Sequence, residues 1–207
     1  MNYLAHLYLS GNDEELKIGN FIADSVKGKP SELLYTPGVI RGIQIHRKID
    51  TFTDSHPIVL KSIKRLREHQ GKFSGIVVDI AFDHFLAKHW HLYSSTELWK
   101  YISDCYILMM KHKTELPERV QRFLPHMVKS NWLYHYLTLE GIDKVFKGMA
   151  KRTPLQSNMA SAVKDLWMDY DSYEKDFITF FPELQAYVQS LLISSSASEA
   201  VDLSSKD

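Results

Sequence analysis

Three features of the 207-residue sequence predict an all-α fold. Apolar residues recur at helical spacing nearly throughout. Capping residues, glycines and prolines bracket the periodic runs as helix starts and stops. The most apolar stretch, FSGIVVDIAFDHFLAKHWHLYS, opens like a strand at Ile76, Val77, Val78 and Ile80. Its pattern then continues through Phe82, Phe85, Leu86 and Trp90, which is too long for an ordinary strand.

In chain order, NDEELKIGNFIADSVKG predicts a helix capped by Asn12 or Asp13, with acids in its first turn and Gly28 as a stop before Pro30. SELLYTPG is a connector with one helical turn. From Gly38 to Asp54, Val39, Ile43 and Ile49 suit a second helix. Pro57 opens another through Glu68, decorated by Lys61, Lys64, Arg65 and Arg67. The long apolar helix follows, then one from Ser95 to His112. Pro117 and Pro125 punctuate the approach to MVKSNWLYHYLT. LEGIDKVFKGMAKR and two or three helices after Pro154 complete one helical domain over residues 1–193. Residues 194–207, rich in serine, show no packing pattern and are expected to form a disordered tail.

Composition narrows the function classes. With 44% hydrophobic residues the chain has ample material for a core. Lys plus Arg and Asp plus Glu are each 25, so bulk charge favours neither nucleic acid nor membrane as partner. Cys105 is the single cysteine, which excludes an intrachain disulfide and a cysteine-based zinc site and fits a reducing compartment. The N-terminus lacks a basic leader, and no run reaches the roughly 20 apolar residues that cross a bilayer. The expectation is a cytoplasmic protein.

GIQIHRKIDTFTDSHP places His46, Asp50 and Asp54 four residues apart, along one face of a helix. The outer two lie about 12 Å apart along the axis, so one ion can use only two of the three. Asp79 and Asp83, again four apart and next to His84, sit in a sequence so apolar that their burial is costly unless they are paired, protonated or metal-bound. Asp24 is a further carboxylate among apolar neighbours. Singly, each is more often a cap, an ion-pair partner or a satisfied core residue than a ligand. Together they point to a divalent cation held by imidazole and carboxylate: Mn²⁺, Fe²⁺ or Mg²⁺, with Zn²⁺ also compatible.

MNYLAHLYLS, IGNFIADSVKG, GIQIHRKIDTFTDSHP, DHFLAKHW and GMAKR, in this order, resemble the bacterial acyl carrier protein phosphodiesterase family over about residues 1 to 187. The resemblance implies Mn²⁺-dependent hydrolysis of the phosphodiester joining 4′-phosphopantetheine to a serine of holo-acyl carrier protein. It also implies distant kinship with HD-domain phosphohydrolases. Those proteins carry an adjacent His-Asp pair, whereas here the order is Asp83-His84, so ligands do not transfer position by position. The family motifs contain Asp24, His46, Asp50, Asp83 and His84, which form the expected metal set. His6 also lies in a motif but reads at least as well as a packing residue.

In this scheme Asp24 or Asp79 serves as general base, and Arg47 or Lys48 as a positive clamp on phosphate. The acidic carrier that the resemblance implies calls for a local basic surface, with Lys27, Arg41, Lys48 and Arg152 as candidates. Two rival readings remain: an HD-type hydrolase of a nucleotide or other small phosphoester, and a non-enzymatic helical interaction module.

Overall fold

The computed structural model describes residues 1–153 and 157–204; the side chains of Ser31 and of residues 194–204 lie outside that description. The expected disordered tail therefore falls largely on residues whose side chains, or whose placement altogether from 205 on, are not described. The described residues form a single all-α domain of ten α-helices joined by 3-10 turns, with no strand among them.

The helices are α1 (Tyr3–Leu9), α2 (Glu14–Ile22), α3 (Pro37–Ser55), α4 (Pro57–Gln70) and α5 (Ser74–Lys88), then α6 (Leu98–Lys111), α7 (Glu118–Lys129), α8 (Leu139–Arg152), α9 (Ala162–Trp167) and α10 (Tyr170–Ser204). α5 is the axis of the fold. Val77, Val78, Ile80, Ala81, Phe82, Phe85 and Leu86 are buried around its whole circumference, as an all-round apolar helix requires. α1, α4, α8, α10 and the 3-10 turn Trp132–Leu137 pack around it. From α10, Phe177, Phe180 and Phe181 meet Phe82, Phe85 and Tyr93 through ring contacts.

Local signals explain most boundaries. Asp13 accepts from Leu16 N–H to cap α2, and Thr36 accepts from Val39 N–H ahead of Pro37 to cap α3. Gly71, at φ +54°, ends α4 in a backbone conformation that a side chain would strain. The structure departs from expectation at two places. α2 stops at Ile22 and gives way to a 3-10 turn, Ala23–Ser25, well before Gly28. Pro125 lies inside α7 instead of bounding it; the break comes at Asn131, which adopts a left-handed conformation (φ 49°).

The closest helix crossing positions the site. A Cβ on Gly19 of α2 would lie 2.1 Å from the Val39 carbonyl oxygen, and one on Gly42 of α3 would lie 2.5 Å from the Leu16 carbonyl oxygen. Only glycine at both positions lets the backbones touch. Asn20, one residue on, and His46, one turn on, are thereby brought together.

Candidate metal centre

His6, His46 and Asp50 converge where α1 meets the α2–α3 crossing. Among the described residues they form the one group whose donor atoms suit a metal ion, each offering an atom within 4.8 Å of the others. Asp50 reaches His6 Nε2 through one carboxylate oxygen and His46 Nε2 through the other, both at 3.1 Å. Asp24, on the 3-10 turn after α2, stands 3.3 Å from the same His46 nitrogen. The two imidazoles are stacked, with ring centroids 3.9 Å apart.

Asn20 fixes both rings. Its side-chain oxygen accepts from His6 Nδ1 at 2.9 Å and from His46 Nδ1 at 3.1 Å, and its backbone carbonyl lies 2.9 Å from His46 Nδ1. The amide nitrogen donates to Ser10 Oγ, which in turn donates to the His6 carbonyl. This chain has one consistent direction, so both Nδ1 atoms carry hydrogen and both Nε2 atoms face the carboxylates. A carbonyl oxygen holding the far nitrogen of an imidazole is the usual support of a metal-binding histidine. Asn20 is 1% exposed and was not singled out from the sequence. Its signal is there, a buried amide in the apolar run KIGNFIA, and so is the spacing of four that sets it one turn before Asp24.

Charge is distributed unevenly over the pair. Burial drives His6 down to about 4, helped by repulsion from His46 and opposed by Asp50. Burial also acts to lower His46, but Asp24 and Asp50 outweigh it and raise that group to about 9. Burial tends to raise Asp50, yet the two imidazoles hold it well below the usual carboxylate range. The hydrogen bond from His46 leads in lowering Asp24.

The remaining expected site residues have other surroundings. Asp83 is fully buried, and its carboxylate accepts from the backbone N–H groups of Asn2, Leu4 and Ala5, so it caps α1. Burial raises it to about 7 against those hydrogen bonds and the Met1 amine. Asp79 pairs with the Met1 amine at 2.8 Å. His84 points away from the cluster, between the Tyr136 carbonyl and the Tyr170 hydroxyl, both at 2.7 Å. The adjacent Asp83-His84 pair thus projects in two directions and is not brought to the centre. Arg47 donates to the Val26 carbonyl at 3.4 Å, and Arg41 to the Leu192 carbonyl at 2.8 Å. Lys27 and Lys48 are exposed, and Arg152 stacks on Trp132.

A cavity of about 180 Å³ opens over the cluster and includes Asp24, Asp54 and Asp79 in its walls. A larger groove adjoins it, sharing Met1, Asn2, Tyr3, Asp24 and Asp79 and bringing Arg119 and Arg152 to the same side. No helix among the described residues is long and apolar enough to cross a membrane.

Comparison with known proteins gives a consistent result. The family model described as acyl carrier protein phosphodiesterase matches residues 1–184. A protein of that name from Serratia proteamaculans is 34% identical over 185 residues, covering 89% of this chain and 95% of its own length. Its counterpart in Yersinia pestis is 32% identical over 190 residues, covering 91% and 98%. One from Escherichia coli O139:H28 is 34% identical over 194 residues, covering 90% and 96%. No solved structure matches the chain at a significant level.

Proposed function

The chain belongs to the acyl carrier protein phosphodiesterase family, and from that premise we propose that it hydrolyses the phosphodiester joining 4′-phosphopantetheine to the serine of holo-acyl carrier protein. The products are the apo-carrier and 4′-phosphopantetheine. Kinship with HD-type phosphohydrolases belongs to the same proposal; the all-α fold and the His/Asp donor set support it.

One observation carries the metal dependence: two imidazoles locked by Asn20 turn their Nε2 atoms onto a shared carboxylate. His6, His46 and Asp50 would hold the ion, leaving Asp24 beside it. This borderline and hard donor set suits Mn²⁺ first, then Fe²⁺ or Mg²⁺. A bound divalent cation supplies charge neutralisation at the phosphate and makes an attacking water more acidic.

The chain's own groups divide the rest of the work. Asp24 is the most exposed carboxylate of the cluster, its side chain 69% accessible, and it borders both cavities. It is positioned to take a proton from the attacking water. Asp79, the other candidate base, is committed to the Met1 amine. Arg47 is absent from the walls of both cavities, whereas Arg119 and Arg152 line the groove and are better placed to meet anionic substrate groups. Exposed Lys27 and Lys48 with Arg152 would present positive charge to an acidic carrier.

The test is mass spectrometry of holo-acyl carrier protein incubated with this protein and Mn²⁺, with a chelator control. Loss of the whole phosphopantetheine only when the metal is present is the expected result. Asp50→Ala should cut turnover about 1,000-fold or more while helical content is retained. An unchanged carrier, alongside turnover of small phosphoesters, would move the assignment to a small-molecule phosphohydrolase.

A further inference from the structure

The cavity over the cluster and the groove beside it share five wall residues: Met1, Asn2, Tyr3, Asp24 and Asp79. Asp24 faces His46, Asp79 pairs with the Met1 amine, and the Asn2 side-chain oxygen accepts from the Tyr3 N–H to cap α1. The Tyr3 hydroxyl differs from these. It has no hydrogen-bond partner among the described residues, and on this half-buried residue it stays open to solvent, unlike the enclosed hydroxyl of Tyr136.

The ring that carries it is held firmly. Phe21 packs on it with centroids 5.3 Å apart, Phe123 at 6.3 Å and Trp132 at 6.5 Å. Close packing of this kind leaves the hydroxyl little freedom of position. Burial raises the phenol to about 12, Asp24 pushes the same way, and Arg119 and Arg152 oppose them. Those three charged residues all wall the groove, so the hydroxyl stands among them. It keeps its proton across the neutral range and is a donor there. Arg152 is also held in place, its Nε donating to the Gly148 carbonyl at 3.1 Å and its guanidinium lying over the Trp132 ring.

We propose that Tyr3 orients the phosphoryl group of the substrate, its hydroxyl donating to a non-bridging phosphate oxygen where cavity and groove meet. The proposal rests on the phosphodiesterase reading above and adds a substrate-binding residue that the reading does not use. The surroundings explain the need for it. A phosphate brought to this junction meets the carboxylates of Asp24, Asp54 and Asp79 in the cavity wall. Besides a cation it requires fixed donors that add no negative charge, and a protonated phenol is one.

Isothermal titration of inorganic phosphate into the protein, loaded stoichiometrically with Mn²⁺, tests this. Tyr3→Phe keeps the ring and removes only the hydroxyl. Phosphate affinity should fall about 3- to 10-fold, and KM for the holo-carrier should rise by a similar factor with kcat little changed. Mn²⁺ affinity and the melting temperature should not move, because the lost oxygen has no partner in the chain. Native phosphate affinity in Tyr3→Phe would overturn the proposal. So would a parallel loss of Mn²⁺ affinity or of stability, which would make the hydroxyl a support of the centre or of the fold. Phosphate binding is read without turnover, which separates the two readings. A native protein that leaves the holo-carrier intact, yet loses phosphate affinity in Tyr3→Phe, would overturn the phosphodiesterase reading and keep the phosphate contact.

Discussion

At the scale of single residues, what the sequence could and could not show turns on partners. His46 and Asp50 share one helix, and their contact follows from a spacing of four. Asn20 and His6 reach them from other helices, and no spacing along the chain encodes that meeting. Asn20→Ala removes the oxygen that orients both rings, so Mn²⁺ affinity should fall about 10- to 100-fold, as is usual for such supporting partners. Isothermal titration of the folded variant reads this directly, and an unchanged affinity would assign the amide to packing. The raised His46 group sets a pH dependence. Its imidazole stays protonated up to about pH 9, and a cation must displace that proton. Apparent Mn²⁺ affinity should therefore climb about tenfold per unit across pH 6.5–8.5, with His6, lowered to about 4, adding no slope there. Without metal the sign reverses. A histidine raised on folding stabilises fully below about 6.5, and that contribution is lost as pH rises through about 9. The metal-free protein should thus melt lower at pH 9.5 than at pH 6.5, while affinity that does not vary with pH would remove His46 from the ligand set.

At the scale of elements, helix existence was legible and helix linkage was not. The caps at Asp13 and Thr36 and the prolines at 37 and 57 are local signals, and the helices follow them. The early end of α2 at Ile22 has no local stop in the sequence. α1 has only seven residues, too few to stand alone, and it persists because a carboxylate from α5 satisfies its first N–H groups. The apolar setting of Asp83 correctly signalled a carboxylate in need of partners, but the partners are backbone amides nearly 80 positions away, which no pattern within α5 reveals. Asp83→Ala should cost roughly 2–4 kcal/mol, the loss of a cap plus buried N–H groups left unpaired. Denaturant unfolding measures this. If the carboxylate acts as a cap, Mn²⁺ affinity of the folded fraction stays within about threefold of native, because half a kcal/mol or so of distortion is all the centre should feel. A collapse in affinity at full stability would instead return Asp83 to the metal.

At the scale of the whole molecule, the centre is a property of the assembled fold. Its residues come from α1, from α3 and from the turn after α2, and they meet only when α1 is docked on α5 and the glycine crossing has closed. The all-α class could be read from periodicity because it is a repeated local property. The site could be read only in part, because it is a single nonlocal one. The same dependence would couple metal binding to folding. An unfolded chain retains at most the His46–Asp50 portion of the site, so a cation held there would bind the native state selectively. At a free Mn²⁺ concentration 100 times its dissociation constant, the native state should gain about 2.7 kcal/mol. For a chain of this length that corresponds to a rise in melting temperature of about 5–11 °C. Scanning calorimetry with and without Mn²⁺ should show the shift in the native protein and lose it in Asp50→Ala. Asp54→Ala, which removes a carboxylate from the cavity wall but none from the donor group, should keep it. An equal shift in all three proteins would mean that the ion binds elsewhere, and the convergence of His6, His46 and Asp50 would then be an ordinary buried ion-pair cluster.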